Sequence, residues 1–392
     1  MAMGEIFTAP VEHIAAGGAG ILTYKGQSIF MDFTAPGDMA TGRIIEEKKG
    51  WARAELVELA EASPHRVSPP CPLYRQCGGC SLQHLSYAAQ LREKGLMAAE
   101  ALRRIGGLSP LPELKINPSP PYEYRNRMQF HRIERPRTAR VGLRARKSGD
   151  LIPITDCPIA DPGLRGALRA GKLVPPPARD RFTVYARGDS LLCEGSAGFP
   201  SRGRLTILGR DIHLDAGVFF QSNGTLLETL IADLRALGDQ ADPALPAADI
   251  YCGVGTFGAF LGERFPRIDM VEENKGALAR ARENVRGRDV RFFAQPEDRW
   301  VKNRDLGAYG FMVADPPRRG LGPALRRGLS RAGPAILAYV SCDPATLARD
   351  SRELSAGVYR LEKLVLYDFY PQTAHIETLA VFKRTPSVHG AS

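Results

Sequence analysis

Asp249-Ile250-Tyr251-Cys252-Gly253-Val254-Gly255-Thr256-Phe257-Gly258 decides how this chain folds. The run 248–252 is apolar enough for a buried strand, and the pattern predicts a helix over 256–265. The glycines at 253 and 255 therefore fall on the turn between them, with Gly258 in the first turn of the helix. Glycine there lets the backbone reverse tightly and lie close to a ligand at the start of the helix. Glu272, at the end of the next strand, is placed to accept hydrogen bonds from both hydroxyls of a ribose.

Working outward, strands are expected at 268–272, 290–294, 310–314 and 335–340, with a helix at 274–285. Such alternation predicts an α/β fold with a largely parallel, doubly wound sheet covered on both faces. The final runs, 361–369 and 376–384, predict an antiparallel hairpin. The glycine loop alone serves a dinucleotide or S-adenosylmethionine equally well.

Four further side chains fall near the carboxyl ends of these strands, where open α/β sheets bind ligands. Asp315 precedes Pro316-Pro317-Arg318, a turn that holds a carboxylate at the strand end. Arg318 stands where amino-group methyltransferases usually carry an aromatic residue, which disfavours that chemistry. Cys342 closes a buried strand, and Asp343-Pro344 then open a helix with a side-chain cap and a proline in the first turn. The positive end of that helix lowers a thiol pKa, whereas the Asp343 charge acts the other way. Gln221, in Phe219-Phe220-Gln221-Ser222-Asn223, precedes a helix from about Thr225, and Glu377 opens the last strand.

The chain has 392 residues, enough for two or three domains, with 44% hydrophobic and 24% charged residues as in ordinary globular proteins. No apolar run approaches the ~18 residues of a membrane span and the start lacks a signal peptide, so a cytoplasmic protein is expected. The net charge is +10, and 42 of its 53 basic residues are arginines. Arginine makes bidentate phosphate contacts and stacks on bases, which suits a nucleic-acid partner; genomic codon bias accounts for the same excess equally well.

Residues 5–60 alternate short β-type runs with glycine turns and predict a small β-barrel, followed by a linker at 63–70. Cys71, Cys77 and Cys80, with Cys157 downstream, supply four soft ligands, and Gly78-Gly79 permit the tight turn their spacing requires. Zinc and a [4Fe–4S] cluster both accept such a set. Cys193 and Cys252 are expected to be packing residues. A helix is predicted over 87–105, and residues 117–217 look like strands joined by basic loops.

Together and in this order, Phe220-Gln221-Ser222-Asn223, the 249–257 loop, Asp315-Pro-Pro-Arg, Ser341-Cys-Asp-Pro-Ala-Thr-Leu-Ala-Arg-Asp and His375-Ile-Glu resemble the RNA uridine C5-methyltransferase family. Pro36-Gly37-Asp38 and Pro70-Cys71 through Cys80-Ser81-Leu82-Gln83-His84 resemble its subgroup with an OB-like TRAM barrel and a [4Fe–4S] cluster. The resemblance covers nearly the whole chain. It implies a TRAM barrel at 1–62, a β-rich iron–sulfur domain at 63–217 and a Rossmann-like methyltransferase domain at 218–392, on which the helix near 87–110 packs. It further implies Cys342 as nucleophile and Glu377 as proton acceptor. Cofactor contacts with S-adenosylmethionine fall on Gln221, Tyr251, Gly253, Gly255, Thr256, Glu272, Gln295 and Asp315, and the cluster falls on Cys71, Cys77, Cys80 and Cys157. The implied substrate is RNA, 23S ribosomal RNA first and the transfer-RNA T-loop second, acted on by a monomer. A non-catalytic RNA-binding assembly factor on the same scaffold is the rival. Thr256 and Asp343 each replace an asparagine common in the family.

Overall fold

The computed structural model describes residues 2–134, 139–188, 190–195 and 198–385. Its first strands are β1 (Ile6–Ile14), β2 (Ala19–Tyr24), β3 (Gln27–Asp32), β4 (Met39–Lys48) and β5 (Trp51–Glu61), closed into a barrel in the order β1-β2-β3-β5-β4. Alternate residues of β1, including Phe7, Ala9 and Val11, point inward and pack with Leu22, Ile29, Met31 and Ile44. Closure leaves no free strand edge.

The stretch 63–70, expected as a linker, is pinned to this barrel. Arg66 donates from Nε and Nη2 to the two oxygens of buried Asp38, each at 2.7 Å, and Ser63 N donates to Asp38 Oδ1 at 2.9 Å. A bidentate guanidinium–carboxylate pair out of water fixes orientation as well as distance.

Next come α1 (Tyr87–Arg104) and β6 (Leu114–Asn117), then β7 (Arg127–Ile133), β8 (Arg140–Arg144), β9 (Leu151–Pro153), α2 (Pro162–Arg169), β10 (Arg181–Arg187) and β11 (Ser190–Cys193). The five strands form an antiparallel sheet in the order β11-β10-β7-β8-β9, with Phe130, Phe182 and Val184 in its core. The hairpin β12 (Arg202–Ile207) and β13 (Arg210–Asp215) leads into the last part of the chain.

That part contains α3 (Gly224–Gly238), β14 (Ala247–Ile250), α4 (Gly258–Leu261), β15 (Ile268–Val271), α5 (Lys275–Asn284), β16 (Val290–Phe293), α6 (Glu297–Trp300), β17 (Phe311–Ala314), α7 (Pro323–Ala332), β18 (Ile336–Ser341), α8 (Pro344–Ser355), β19 (Tyr359–Tyr367) and β20 (Glu377–Arg384). Its sheet runs β16-β15-β14-β17-β18-β20-β19-β6. Strands β14 to β18 pair in parallel, β20 runs antiparallel to both β18 and β19, and β6 joins β19 in parallel. The doubly wound, Rossmann-like reading therefore holds, as does the terminal hairpin. The helix expected over 256–265 is shorter, because only Gly258–Leu261 close as an α-turn run.

Helix α1 lies against this last sheet. Lys94 is fully buried in it, and its Nζ donates to Asp368 Oδ1 at 2.5 Å and to Tyr370 O at 2.9 Å. Burial pulls the Lys94 pKa below its ordinary value, with the Asp368 charge opposing that shift. Gln90 adds a second tie: it donates to Gln372 Oε1 at 3.0 Å and accepts from Gln372 N at 2.9 Å. The segment 368–372, which leads into β20, is thus held by a helix almost three hundred residues earlier in the chain.

Removing one partner of such a pair strands the other charge in the interior. Lys94→Met is expected to cost about 3–5 kcal/mol in urea unfolding, and adding Asp368→Leu to restore most of it. A single variant as stable as the parent would show that the pair does not hold this segment.

Candidate active site

Four parallel strands deliver side chains to one edge. Tyr251 follows β14, Glu272 follows β15, Asp315 follows β17 and Cys342 follows β18. The chain leaves β14 towards β15 on one side and returns at β17 on the other, so a crevice opens between them. Because β20 is antiparallel to β18, it begins at this same edge, and the pairing of Ser341 with Thr378 sets Glu377 beside the end of β18.

A cavity of about 610 Å³ occupies the crevice, within the range of small-molecule sites. Of the sequence-predicted residues, Gln221, Tyr251, Gly253, Glu272, Gln295, Asp315, Cys342 and Glu377 all line it. Gly255 and Thr256 do not. Gly255 has φ +79°, and a Cβ there would come within 2.7 Å of Val285 Cγ2, so its glycine is required by packing against α5. Thr256 is half-buried behind the loop.

The glycine loop is shaped by carboxylates. Buried Asp249 accepts from Gly258 N at 2.9 Å. Glu272 accepts from Gly253 N at 3.1 Å and from Asn274 N at 2.7 Å, so its oxygens face the loop as well as the cavity. Tyr251 takes the left-handed conformation at φ +63°, unusual for a side chain of its size, and its hydroxyl accepts from Gly322 N at 3.1 Å.

Asn223 anchors the segment that carries Gln221. The Asn223 side chain accepts from Leu226 N, capping α3, and donates to Ser119 Oγ at 2.8 Å. Gln221 Nε2 then donates to Asp315 Oδ2 at 3.2 Å, while Gln221 Oε1 and Glu377 Oε1 are buried without a partner. Unpartnered polar atoms in a cavity wall mark where a polar ligand satisfies them.

Electrostatics here decide what the sequence left open. Asp343 caps α8 by accepting from Ala345 N at 3.0 Å and Thr346 N at 2.9 Å, so Cys342 does sit at a helix start. Its thiol is nevertheless pushed up to about 12, first by burial and then by the Glu377 and Asp315 charges, with Arg318 pulling the other way. Burial likewise raises Asp315 to about 7 and carries Glu377 well above the carboxylate range, the Asp315 charge adding to the latter. Three acidic groups share one desolvated wall, and they cannot all ionise together.

Several lining residues lie outside the expected set of site residues. Phe219 is 58% exposed at the cavity, with the Arg127 guanidinium 5.5 Å from its ring centre. Arg125, Arg318, Tyr370 and His375 also line it, and Arg318 Nη2 lies 3.3 Å from His375 Nδ1. Burial and then the neighbouring cations pull the His375 pKa down to about 4, so the ring is neutral and accepts from Arg318.

Cys71, Cys77, Cys80 and Cys157 line a second cavity, of about 960 Å³, between the barrel and the antiparallel sheet. Gly78 N donates to Arg144 O at 3.0 Å and fixes the turn against β8. Among the described residues, no group of three or more His, Cys, Asp or Glu side chains is placed to hold a metal ion. Cys193 and Cys252 are buried in the hydrophobic cores, as expected.

A sheet of this order with its cavity at the switch point is the architecture of a class I methyltransferase. The sequence profile described as tRNA (Uracil-5-)-methyltransferase matches residues 202–385. An uncharacterized RNA methyltransferase of Treponema denticola is 32% identical, covering 92% of this chain and 94% of that protein. The 23S rRNA (uracil(1939)-C(5))-methyltransferase of Edwardsiella ictaluri is 30% identical, covering 97% of this chain and 96% of its own. In fold, the chain is similar to the Pyrococcus abyssi tRNA (uracil-54, C5)-methyltransferase, solved with S-adenosyl-L-homocysteine: TM-score 0.70, 24% identity, 96% and 99% coverage. The chain belongs to the RNA uracil C5-methyltransferase family, and it is an RNA (uracil-C5)-methyltransferase. No helix among the described residues is long and apolar enough to cross a membrane.

The raised carboxyls have a stability consequence with a definite sign. A carboxyl whose folded pKa lies above its unfolded value holds a proton that the unfolded chain releases, so stability falls as pH rises between the two. Glu377→Gln removes that loss. The variant is expected to melt above the parent at pH 7, with the gap closing towards pH 4; equal melting at both pH values would contradict the buried, protonated Glu377.

Proposed function

We propose that Cys342 opens the reaction by covalent addition to the target uracil. Uracil C5 is a poor nucleophile, and attack on a sulfonium methyl needs prior activation. Addition of the Cys342 thiolate at C6 breaks the C5–C6 double bond and leaves an enolate with carbanion character at C5. S-adenosylmethionine, bound in the crevice, supplies the methyl as an electrophile. Once C5 carries it, Glu377, having first released its own proton to solvent, takes the C5 proton as a carboxylate, and the electron pair left on C5 re-forms the double bond as the Cys342–C6 bond breaks.

The observation that carries this reading is the shared wall: Cys342, Glu377, Asp315 and Gln221 line one cavity at the carboxyl edge of one sheet. The unpaired Gln221 Oε1 and Glu377 Oε1 give a uracil edge polar atoms to meet. A protonated Asp315 donates a hydrogen bond where the enolate oxygen develops, and Arg318 favours the Cys342 thiolate. For S-adenosylmethionine, the contacts we assign are Gln221, Tyr251, Gly253, Glu272, Gln295 and Asp315; those of Gly255 and Thr256 rest on the resemblance alone.

The target base must leave its stack to reach the crevice, which costs least in unpaired RNA. Arginines against aromatic rings suit single-stranded nucleic acid: Arg127 over Phe219, Arg146 over Phe33 at 4.8 Å and Arg53 over Trp51 at 5.9 Å. The RNA is 23S ribosomal RNA in our reading, supported by the E. ictaluri relative; a transfer-RNA T-loop is the alternative. Cys71, Cys77, Cys80 and Cys157 would hold a [4Fe–4S] cluster with a structural or RNA-shaping role. Four soft thiols lining one cavity are what supports that reading. The protein would act in the cytoplasm as a monomer.

RNA carrying 5-fluorouridine at the target has no removable C5 proton. With S-adenosylmethionine it should form a stable covalent adduct, absent in Cys342→Ala. On ordinary RNA, Glu377→Gln should accumulate adduct and turn over at least ~100-fold more slowly. RNA binding without any adduct would sink the mechanism, and a fully active Glu377→Gln would remove Glu377 as the base.

A further inference from the structure

Of the run Ser341–Asp350, Cys342 lines the catalytic cavity and Asp343 caps α8. The last residue of the run, Asp350, stands about two turns into α8 and is fully buried. Its carboxylate gathers donors from four elements. Oδ2 accepts from Leu321 N at 2.9 Å and from the Tyr339 hydroxyl at 2.8 Å. Oδ1 accepts from Arg326 Nη1 at 3.1 Å, and from Arg349 Nε and Nη2 at 2.8 and 2.6 Å. Strand β18, helices α7 and α8, and the loop 315–322 after β17 thus meet at one side chain.

That loop carries Asp315, Arg318 and Arg319 to the cavity wall. It is held by its backbone. Gly320 N donates to Pro317 O at 2.8 Å, and Arg319 O accepts from Arg349 Nη2 at 2.8 Å. Leu321 N goes to Asp350, and Gly322 N to the Tyr251 hydroxyl. Gly320 has φ +76°, and a Cβ there would come within 2.5 Å of Asp350 Oδ2 and 2.7 Å of Arg349 Nη2. The loop is therefore pressed directly onto the ion pair. Cys342 opens the segment that runs into α8, and Arg318 rides on the loop; Asp350 fastens the two to each other.

We propose that Asp350 is a positioning residue for methylation, clamping the loop 315–322 to α8 and so setting where Arg318 stands relative to Cys342. The proposal rests on reading Cys342 as the nucleophile. A cation beside the sulfur favours its thiolate, and that benefit falls with distance. His375 meets only the tip of the Arg318 side chain, whereas the point from which that side chain starts is set by the loop. Loss of the clamp slows the covalent step without removing any group from the cavity.

The readout is the rate of adduct formation per folded protein, with S-adenosylmethionine and 5-fluorouridine RNA of the kind the parent methylates, 23S rRNA or T-loop. No adduct in the parent would overturn the nucleophile reading, and this proposal with it. Given an adduct in the parent, the variants bear on Asp350 alone. Asp350→Ala and Gly320→Ala, the latter with every charge left in place, should each be at least ~10-fold slower. Asp350→Asn keeps an oxygen for Leu321 N and Tyr339 but turns an amide towards two guanidiniums. It should melt well below the parent yet form adduct within ~3-fold of its rate. Arg318→Gln should itself be slow, and adding Gly320→Ala to it should cost less than ~2-fold more, because both act through one group. Parent-like rates in Asp350→Ala and Gly320→Ala would overturn the proposal. So would an Asp350→Asn as slow as Asp350→Ala, or losses that multiply with Arg318→Gln, as a residue that only holds the fold would give. Should Asp350→Ala fail to fold, Gly320→Ala, alone and with Arg318→Gln, still decides it.

Discussion

β20 runs antiparallel to β18, and the register pairing Ser341 with Thr378 sets the first residue of one strand beside the last residue of the other. In a fully parallel sheet, Glu377 would emerge at the opposite edge, one strand length from Cys342. The reversed strand is therefore what brings an acid to the thiol. It is held in place by remote elements: Lys94 and Gln90 of α1 fasten the turn before it, and β6 extends the sheet beyond β19. A segment far upstream thus fixes where Glu377 stands relative to Cys342.

The same convergence creates an electrostatic conflict. A helix start favours a thiolate, but its stabilisation is confined to roughly the first turn and is worth about 0.3–1 kcal/mol at exposed sites. Burial beside Glu377 and Asp315 outweighs it, so in the resting site Cys342 is a thiol, Glu377 holds its proton and Asp315, raised to about 7, is divided between its two forms near neutral pH. Arg318, kept in place by a neutral His375, opposes that trend. In the proposed reaction, Cys342 and Glu377 must therefore each give up a proton before they act.

Much of this was legible in the residues because it is local. The 249–258 loop combines a strand pattern, glycines at fixed offsets and a helix start, and each is set within a few residues. Asp343-Pro344 announce a helix cap for the same reason, and Asp343 makes both expected hydrogen bonds. The barrel followed from short β-type runs set between glycine turns, and Phe7, Ala9 and Val11 point into it. What escaped was relational. Nothing near Arg125 marks it as a residue that lines both cavities, and Phe219 resembles any aromatic before a helix. The run 63–70 has linker composition, yet Asp38 captures it from a distance of 28 residues. Gly255 looked like a ligand contact, and the structure shows that its missing side chain makes room for Val285.

By itself the sequence determined the element types, the order in which they occur and the chemical kinds of group at their ends, since short-range periodicity, turn residues and caps govern all three. Only the tertiary structure decided which ends meet, how deeply they are buried and what each ionisable group feels. Those depend on strand direction, register and desolvation, which are set by contacts between residues tens to hundreds of positions apart. Cys342 is the plainest case: its place at a strand end is written locally, while the reluctance of its thiol to ionise comes first from burial and then from Glu377 and Asp315, brought beside it only by the sheet.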